Sequence, residues 1–308
     1  MTRANDPLDV DQFQALFDRV SRWGRYDRPE RGAFNLVGPD QVLRATAAVR
    51  SGVVVPMALP WNTVGGIDNP KPALHHMTDV GDVEPAEPTC YKDFLAIDYH
   101  GKSCSHLDAL AHIAWRGRLF DGRVAREVVD AGGARYGSVG ALGPLVTRGV
   151  LLDVPADRGV DWLEPGEPVY ADDLDHAVAE LGVQVEPGDA VLLRSGHFAR
   201  RRALGAWDPG ALSAGLHPTA MGWLSDREIS VLGADGDSDV RPSPVPGVHS
   251  PVHILALTAM GVPLLDNLDL EPLSAACREA GRYTFQLTLA PLNVALGTGS
   301  PLNPVAVL

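Results

Sequence analysis

The chain is poor in cysteine, in aromatic residues and in basic charge, and it has no long apolar run; each shortage removes a class of function. Its three cysteines, Cys90, Cys104 and Cys277, are odd in number and far apart, so no disulfide framework or C-x-x-C pair is available. That pattern suits a reducing cytoplasm. Only 26 Lys and Arg face 39 Asp and Glu, a formal net charge of -13. Such a surface repels phosphate backbones and anionic lipid, so neither nucleic acid nor membrane is an expected partner. The one basic cluster, Arg200, Arg201 and Arg202, follows a helical stretch and reads as a solvated helix end rather than a phosphate site. Apolar runs such as residues 53–59 are too short to span a bilayer, and the opening Met1-Thr-Arg-Ala-Asn-Asp lacks the apolar stretch of a signal peptide. A soluble cytoplasmic protein is expected. Also missing are G-x-S-x-G, H-E-x-x-H, G-x-G-x-x-G and the P-loop, which disfavours a serine hydrolase, a zincin, a dinucleotide enzyme and a nucleotidase.

What is present is ordinary globular material: 308 residues, 45% hydrophobic and 21% charged, with 32 Gly and 25 Pro. Helical periodicity marks residues 9–23, carried by Val10, Phe13, Leu16, Phe17 and Val20, and a second helix begins after Pro39 and runs to Arg50. Short β-rich runs at 53–59, 94–99, 149–154, 190–194, 230–234 and 284–290 alternate with helical stretches near 171–181, 219–228, 251–260 and 272–280. Strands alternating with helices indicate an α/β architecture. No internal repeat or domain linker interrupts it, so residues 1–308 read as one domain with 1–52 as an N-terminal helical extension. Residues 60–89 are rich in Pro, Gly, Asn and Asp and carry Trp61, His75, His76 and Met77; they read as an irregular loop over a site.

Chemistry concentrates in residues 100–112, HGKSCSHLDALAH. On a strand, residues two apart share a face, so His106 and Asp108 converge. His112 returns to the same point if the chain turns or begins a helix after Ala109. Two imidazoles and a carboxylate suit Zn²⁺ or Mn²⁺, and an open coordination position would activate a water. A surface cluster or capped turn is the plain alternative. The apolar neighbours Leu107, Leu110, Ile113 and Trp115 argue against it, because a buried charged triad without a metal or hydrogen-bonded partners is costly.

The stretch Ser105-His-Leu-Asp-Ala-Leu-Ala-His112 resembles the cyclase family, which includes bacterial kynurenine formamidase and isatin hydrolase and whose motif reads H-x-G-T-H-x-D-x-P-x-H. Residues 23–36, 117–122 and 263–268 are similar to further stretches of its longer members, so the likeness spans most of the chain. The resemblance implies a swivelling β/β/α fold with a mixed β-sheet core, in a homodimer or homotetramer. It implies His106 and Asp108 as metal ligands and His112 as catalytic acid/base. A later histidine and glutamate of the family fall near His253 and Asp266, with His249 competing for the histidine and Asp standing in place of Glu. The departure lies at the motif's start, where the family's first ligand histidine is replaced by Lys102. His100, six before His106, substitutes if the strand bulges; otherwise a two-metal arrangement collapses to one. Lys102 would then supply a fixed positive charge for an oxyanion or a substrate carboxylate, unless it is simply a surface lysine.

Other residues compete for roles. His217, in Gly-Leu-His-Pro, either faces the site or starts a helix. His75 and His76 are either solvent-exposed or part of a lid over the substrate. His176 and His197 fall on expected helices and read as structural. Cys104 reads as a small buried residue rather than a nucleophile. Residues 235–239, Asp-Gly-Asp-Ser-Asp, fail the EF-hand pattern and read as a strand-end loop near the pocket.

The expected activity is a metal-dependent hydrolase that cleaves an amide, cyclic amide or lactone bond of a small molecule with metal-activated water. His112 moves the proton and Lys102 assists the oxyanion, while Trp61, His75, His76 and His217 contact the substrate. A biosynthetic cyclase or dehydratase using the same metal site is the second reading. The third is a non-catalytic binding protein, which predicts no stoichiometric metal.

Overall fold

The computed structural model describes residues 5–81 and 88–308. Residues 82–87, within the stretch read as a loop over the site, and residues 1–4 lie outside the described residues. Nine strands form one mixed sheet in the order Val54–Pro56, Val305–Val307, Thr284–Leu289, Leu145–Asp153, Ala190–Arg194, Val231–Ala234, Leu264–Asp266, His106–Asp108 and Gly299–Pro301. Leu145–Asp153 through Leu264–Asp266 run parallel, and the strands on either side of them are antiparallel. The mixed α/β fold expected from the sequence is thus present.

The parallel strands explain themselves. Ala190–Arg194, Val231–Ala234 and Leu264–Asp266 are buried at every residue, which is why the first two appear in the sequence as short apolar runs rather than alternating ones. Helices Ala171–Glu180 and His197–Leu204 follow successive strands as crossovers. Leu145–Asp153 meets Thr284–Leu289 with Gly149 opposite Phe285. A β-carbon on Gly149 would lie 2.2 Å from the Phe285 ring, so the ring occupies the space a side chain would take.

The N-terminal helix, Val10–Val20, opens with a capping box: Asp9 accepts from the Gln12 amide at 2.8 Å while Gln12 accepts from the Asp9 amide at 2.9 Å. It buries Phe13, Phe17 and Val20 in the principal core of the molecule, and Trp23 just beyond donates to the Thr258 carbonyl at 2.7 Å. The helix expected over 251–260 begins as a turn of α-helix, Pro251–His253, and continues as a π-helix, Ile254–Met260. Such widened turns gather at functional sites.

Residues 60–89 are not wholly irregular. Leu74–Asp79 pairs with Lys92–Ala96 in a separate two-stranded sheet, so the strand expected at 94–99 is displaced towards the N-terminus. Both strands are exposed along nearly their whole length, which is why burial-driven patterning did not reveal the first of them. No helix among the described residues is long and apolar enough to cross a membrane.

Candidate metal centre

The site is assembled at the carboxyl ends of the central parallel strands, where open α/β sheets place their ligands. His106 and Asp108 point to one face of their strand, and the intervening Leu107 is fully buried on the other. The neighbouring strand places Asp266 directly opposite His106. On the other flank Gly299 pairs with Asp108, and a β-carbon there would lie 2.4 Å from the Leu107 carbonyl oxygen, so only glycine admits this approach. Asn267, in the left-handed region at φ 56°, ties the motif loop to the strand end. Its amide donates to the carbonyls of Gly101 (3.1 Å) and Cys104 (3.3 Å), and its own carbonyl accepts from Ser105.

His106 donates from Nδ1 to the Cys104 carbonyl at 3.3 Å, which leaves Nε2 facing Asp108 Oδ1 at 3.6 Å. A partner on one ring nitrogen frees the other as a ligand. Asp108 also meets His100 Nδ1 at 2.7 Å, His112 Nε2 at 3.8 Å and His253 Nε2 at 3.6 Å. Among the described residues, three sets of donors close to within 4.8 Å of one another: His100, Asp108 and His112; His106, Asp108 and Asp266; Asp237, Asp239 and His253. His106 and His112 therefore fall in different sets, joined through Asp108. The single point on which all three motif residues were expected to converge is instead two adjacent points. The reason is geometric: the strand stops at Asp108, and the turn after it carries His112 past the carboxylate to stack on His100, centroids 3.8 Å apart and planes 6° apart.

His253, and not His249, enters the cluster. His249 is exposed and bonds to Ser250 and Arg241. His253 is clamped between carboxylates, with Nδ1 2.5 Å from Asp239 and Nε2 3.1 Å from Asp266. Burial alone would lower its pKa, but Asp266, Asp239 and Asp237 outweigh that and hold it well above the usual histidine range. Burial likewise pushes Asp108 up, and the facing imidazoles of His106, His112 and His100 more than reverse it. His112 goes the other way: burial first, then the neighbouring imidazoles, push it down to about 4 despite the pull of Asp108.

The charge inventory tests whether these residues fit a cation. Asp108, Asp237, Asp239 and Asp266 are all buried, and the fixed cations beside them are Arg241 and Lys102. With His253 protonated one negative charge is left over, and two once His253 gives up its proton to act as a ligand. An uncompensated buried charge is costly, and a divalent ion among borderline nitrogen and hard oxygen donors removes the excess. The donor set fits a divalent ion.

Lys102 lies 3.6 Å from Asp237 and lines a cavity of about 370 Å³ together with Trp61, His197, Phe198, Arg201 and Asn267. Trp61 lines this cavity. His75 and His76 do not: they sit on the exposed hairpin, His75 beside Asp93 at 3.2 Å and His76 against Phe94. His217 is buried elsewhere, with Nδ1 2.7 Å from Thr219 Oγ1 and Nε2 2.9 Å from the Asp6 carbonyl, and it caps a short helix. Both of its nitrogens are occupied, which removes it as a substrate contact. His197, read as structural, lines the cavity and is pushed down to about 3 by burial and the adjacent Lys102 charge. Its signal was the Ser195-Gly-His197 turn at a strand's carboxyl end, held to Asp235 by four donors, the amides of Ser195, Gly196 and His197 and the Ser195 hydroxyl.

Asp237 and Asp239 were also missed as parts of the centre, although the run of alternate acids after a buried strand was visible. Thr298, which bonds His100 Nε2 at 2.8 Å, carried no signal. Cys104 is buried and its thiol is pushed up to about 12, as befits a packing residue. Arg200, Arg201 and Arg202 each pair with an acid (Glu164, Asp68 and Asp269), which consumes the charge a phosphate would need.

The Cyclase family model matches residues 41–238, more than half of the chain. Among solved structures, a cyclase is 25% identical with a TM-score of 0.84, covering 95% of this chain and 99% of that one. Isatin hydrolase A from Ralstonia solanacearum is 21% identical with a TM-score of 0.59, over 88% of this chain and 97% of that one. Isatin hydrolase A from Labrenzia aggregata, bound to benzyl benzoate, is 22% identical with a TM-score of 0.57, over 87% and 97%. No curated protein matches the chain in a sequence comparison. The chain belongs to the cyclase family.

Proposed function

We propose that this chain is a metal-dependent hydrolase that opens an amide, cyclic amide or lactone bond of a small molecule. The observation that carries the reading is the convergence of His106, Asp108 and Asp266 in one buried set, with His253 Nε2 3.1 Å from Asp266 and 3.6 Å from Asp108. These four residues would hold the ion, Zn²⁺ or Mn²⁺. When bound it would polarise the scissile carbonyl and lower the pKa of a water.

The remaining work belongs to side chains. His112 is held neutral by its burial, and its side chain is 24% exposed, so Nε2 can reach a reacting molecule. It takes the proton from the attacking water and returns it to the leaving nitrogen or oxygen, a role worth about 10²–10⁴-fold in rate. His100 fixes its orientation by stacking on it, and Thr298 and Asp108 in turn fix His100.

The solved isatin hydrolases recommend cyclic amides as the first substrates to try. The family's description as cyclases favours cyclisation as the second reading, because the same proton path serves ring closure. Incubating the metal-loaded protein with cyclic amides, lactones and N-formyl arylamines separates them. Ring opening or deformylation supports hydrolysis; inertness towards the whole panel overturns it.

The assembly we propose is a homodimer or homotetramer. The hairpin Leu74–Asp79 with Lys92–Ala96 exposes Leu74, Met77, Phe94 and Leu95, and an isolated two-stranded sheet is marginal in water unless covered. Light scattering on the purified protein tests this, and a monomeric mass contradicts it.

A further inference from the structure

The ammonium of Lys102 is short of an acceptor. Among the described residues it makes no hydrogen bond, and its closest carboxylate oxygen, Asp237 Oδ2, stands 3.6 Å away. That oxygen already accepts two hydrogen bonds from Arg241, at 2.9 and 2.7 Å. Asp237 Oδ2 is therefore taken up by Arg241, while Oδ1, buried and without a hydrogen-bond partner, lies farther from Lys102, whose ammonium keeps its N–H donors unspent among the described residues. Its side chain is only 23% exposed, and what it meets is the cavity of about 370 Å³. With so little of the side chain exposed, the acceptors for the ammonium come from whatever fills the cavity, water or a ligand, and a ligand that supplies one displaces water from an electrostatically favourable place.

The other walls narrow what that partner is. Arg201 also lines the cavity, but its guanidinium is committed to Asp68 in the same wall. His197 contributes no charge near neutral pH. Lys102 is thus the net positive point of the cavity. Trp61 and Phe198 supply flat apolar surface beside it. A cavity of this size takes a small molecule rather than a chain segment.

We infer that Lys102 anchors a carboxylate on the substrate, the substrate being an aryl carboxylate or a similarly flat anionic molecule whose ring lies between Trp61 and Phe198. The word substrate rests on the hydrolytic reading above, but the binding does not. Charge-assisted hydrogen bonds from a sunken ammonium discriminate strongly against a neutral isostere, because the uncharged ligand leaves the donors unpaired.

Calorimetric titration of the protein as purified, with benzoate and with its neutral isostere benzamide, tests this without any turnover. Benzoate is expected to bind about ten- to a hundredfold more tightly than benzamide. K102M should erase that preference by weakening benzoate alone, K102R should keep most of it, and treatment with a chelator should leave it standing. A preference that survives K102M, one that disappears with the chelator, or no preference in the unmodified protein overturns the assignment. Should K102M fail to fold, K102Q gives the same comparison. A protein that hydrolyses nothing yet shows this Lys102-dependent preference loses the hydrolytic reading and keeps the anchor; one that hydrolyses neutral substrates with no benzoate preference does the reverse.

Discussion

Asp239 holds His253 by its Nδ1 at 2.5 Å and so aims Nε2 at Asp266, 3.1 Å away. Because both ring nitrogens face carboxylates, the proton on Nε2 stands where a cation would bind. Asp239 also accepts from the backbone amide of Val252 at 2.6 Å, so it fixes the helix turn as well as the ring. Asp239→Asn should lower affinity for the divalent ion by about 10–100-fold, as loss of a ligand's supporting partner usually does. Competition with a chromophoric chelator measures it; unchanged affinity would remove Asp239 from the centre.

Ion uptake should also release a proton. His253 gives up its Nε2 hydrogen when it becomes a ligand. Calorimetry in buffers of different ionisation enthalpy reads this directly, and a buffer-independent heat would argue against His253 as a ligand.

His112→Ala should cut turnover by about 10²–10⁴-fold and leave the metal content of the protein unchanged. The separation follows from the geometry, since His112 groups with His100 while His106 groups with Asp266. Loss of metal together with activity would make His112 a ligand and not the proton carrier.

The pH profile follows from the same imidazole. Its pKa lies at about 4, below the free value of 6.5, so the neutral form that accepts a proton persists well into acid. With the ion kept saturating, so that proton competition at His253 does not intervene, activity should be lost only as pH falls through about 4, and a bound cation nearby lowers that limit further. In stability the sign is the same. Between pH 6.5 and 4 the unfolded chain takes up a proton that the folded chain refuses, so His112 favours unfolding progressively as pH drops through that window. An acid limb in kcat/KM centred near 6.5 would show that His112 is not held as described.

Away from the site, Gly149→Ala tests the packing of the sheet. The added carbon collides with Phe285 in a filled core, and such overpacking costs about 1–3 kcal/mol. Thermal melts should show a lowered Tm with the metal content intact; an unchanged Tm would mean that the ring has room to move.

The buried strands Ala190–Arg194 and Val231–Ala234 were legible because burial on both faces writes a continuous apolar run, whereas Leu264–Asp266 is too short to write one; His106 and Asp108 were legible because a strand's two-residue period is simple. Position 112 was harder. Its distance from Asp108 depends on how the chain turns at Ala109, which no local pattern states. His253 and Asp266 came from resemblance, and the π-helix that carries His253 onward has no composition of its own. His75 and His76 misled because a Pro- and Gly-rich stretch with histidines looks like a lid, whereas pairing with residues 92–96 draws it into a hairpin. Asp237 and Asp239 were visible as an acidic run, but their partners Arg241 and His253 are fixed only by the fold.

Elemental analysis of the untreated protein, beside Asp108→Asn, tests the centre most directly. One equivalent of zinc or manganese per chain, lost in Asp108→Asn while the fold survives, is the expected result. A well-folded protein free of divalent metal, or an Asp108→Asn variant that retains its full complement, would contradict it.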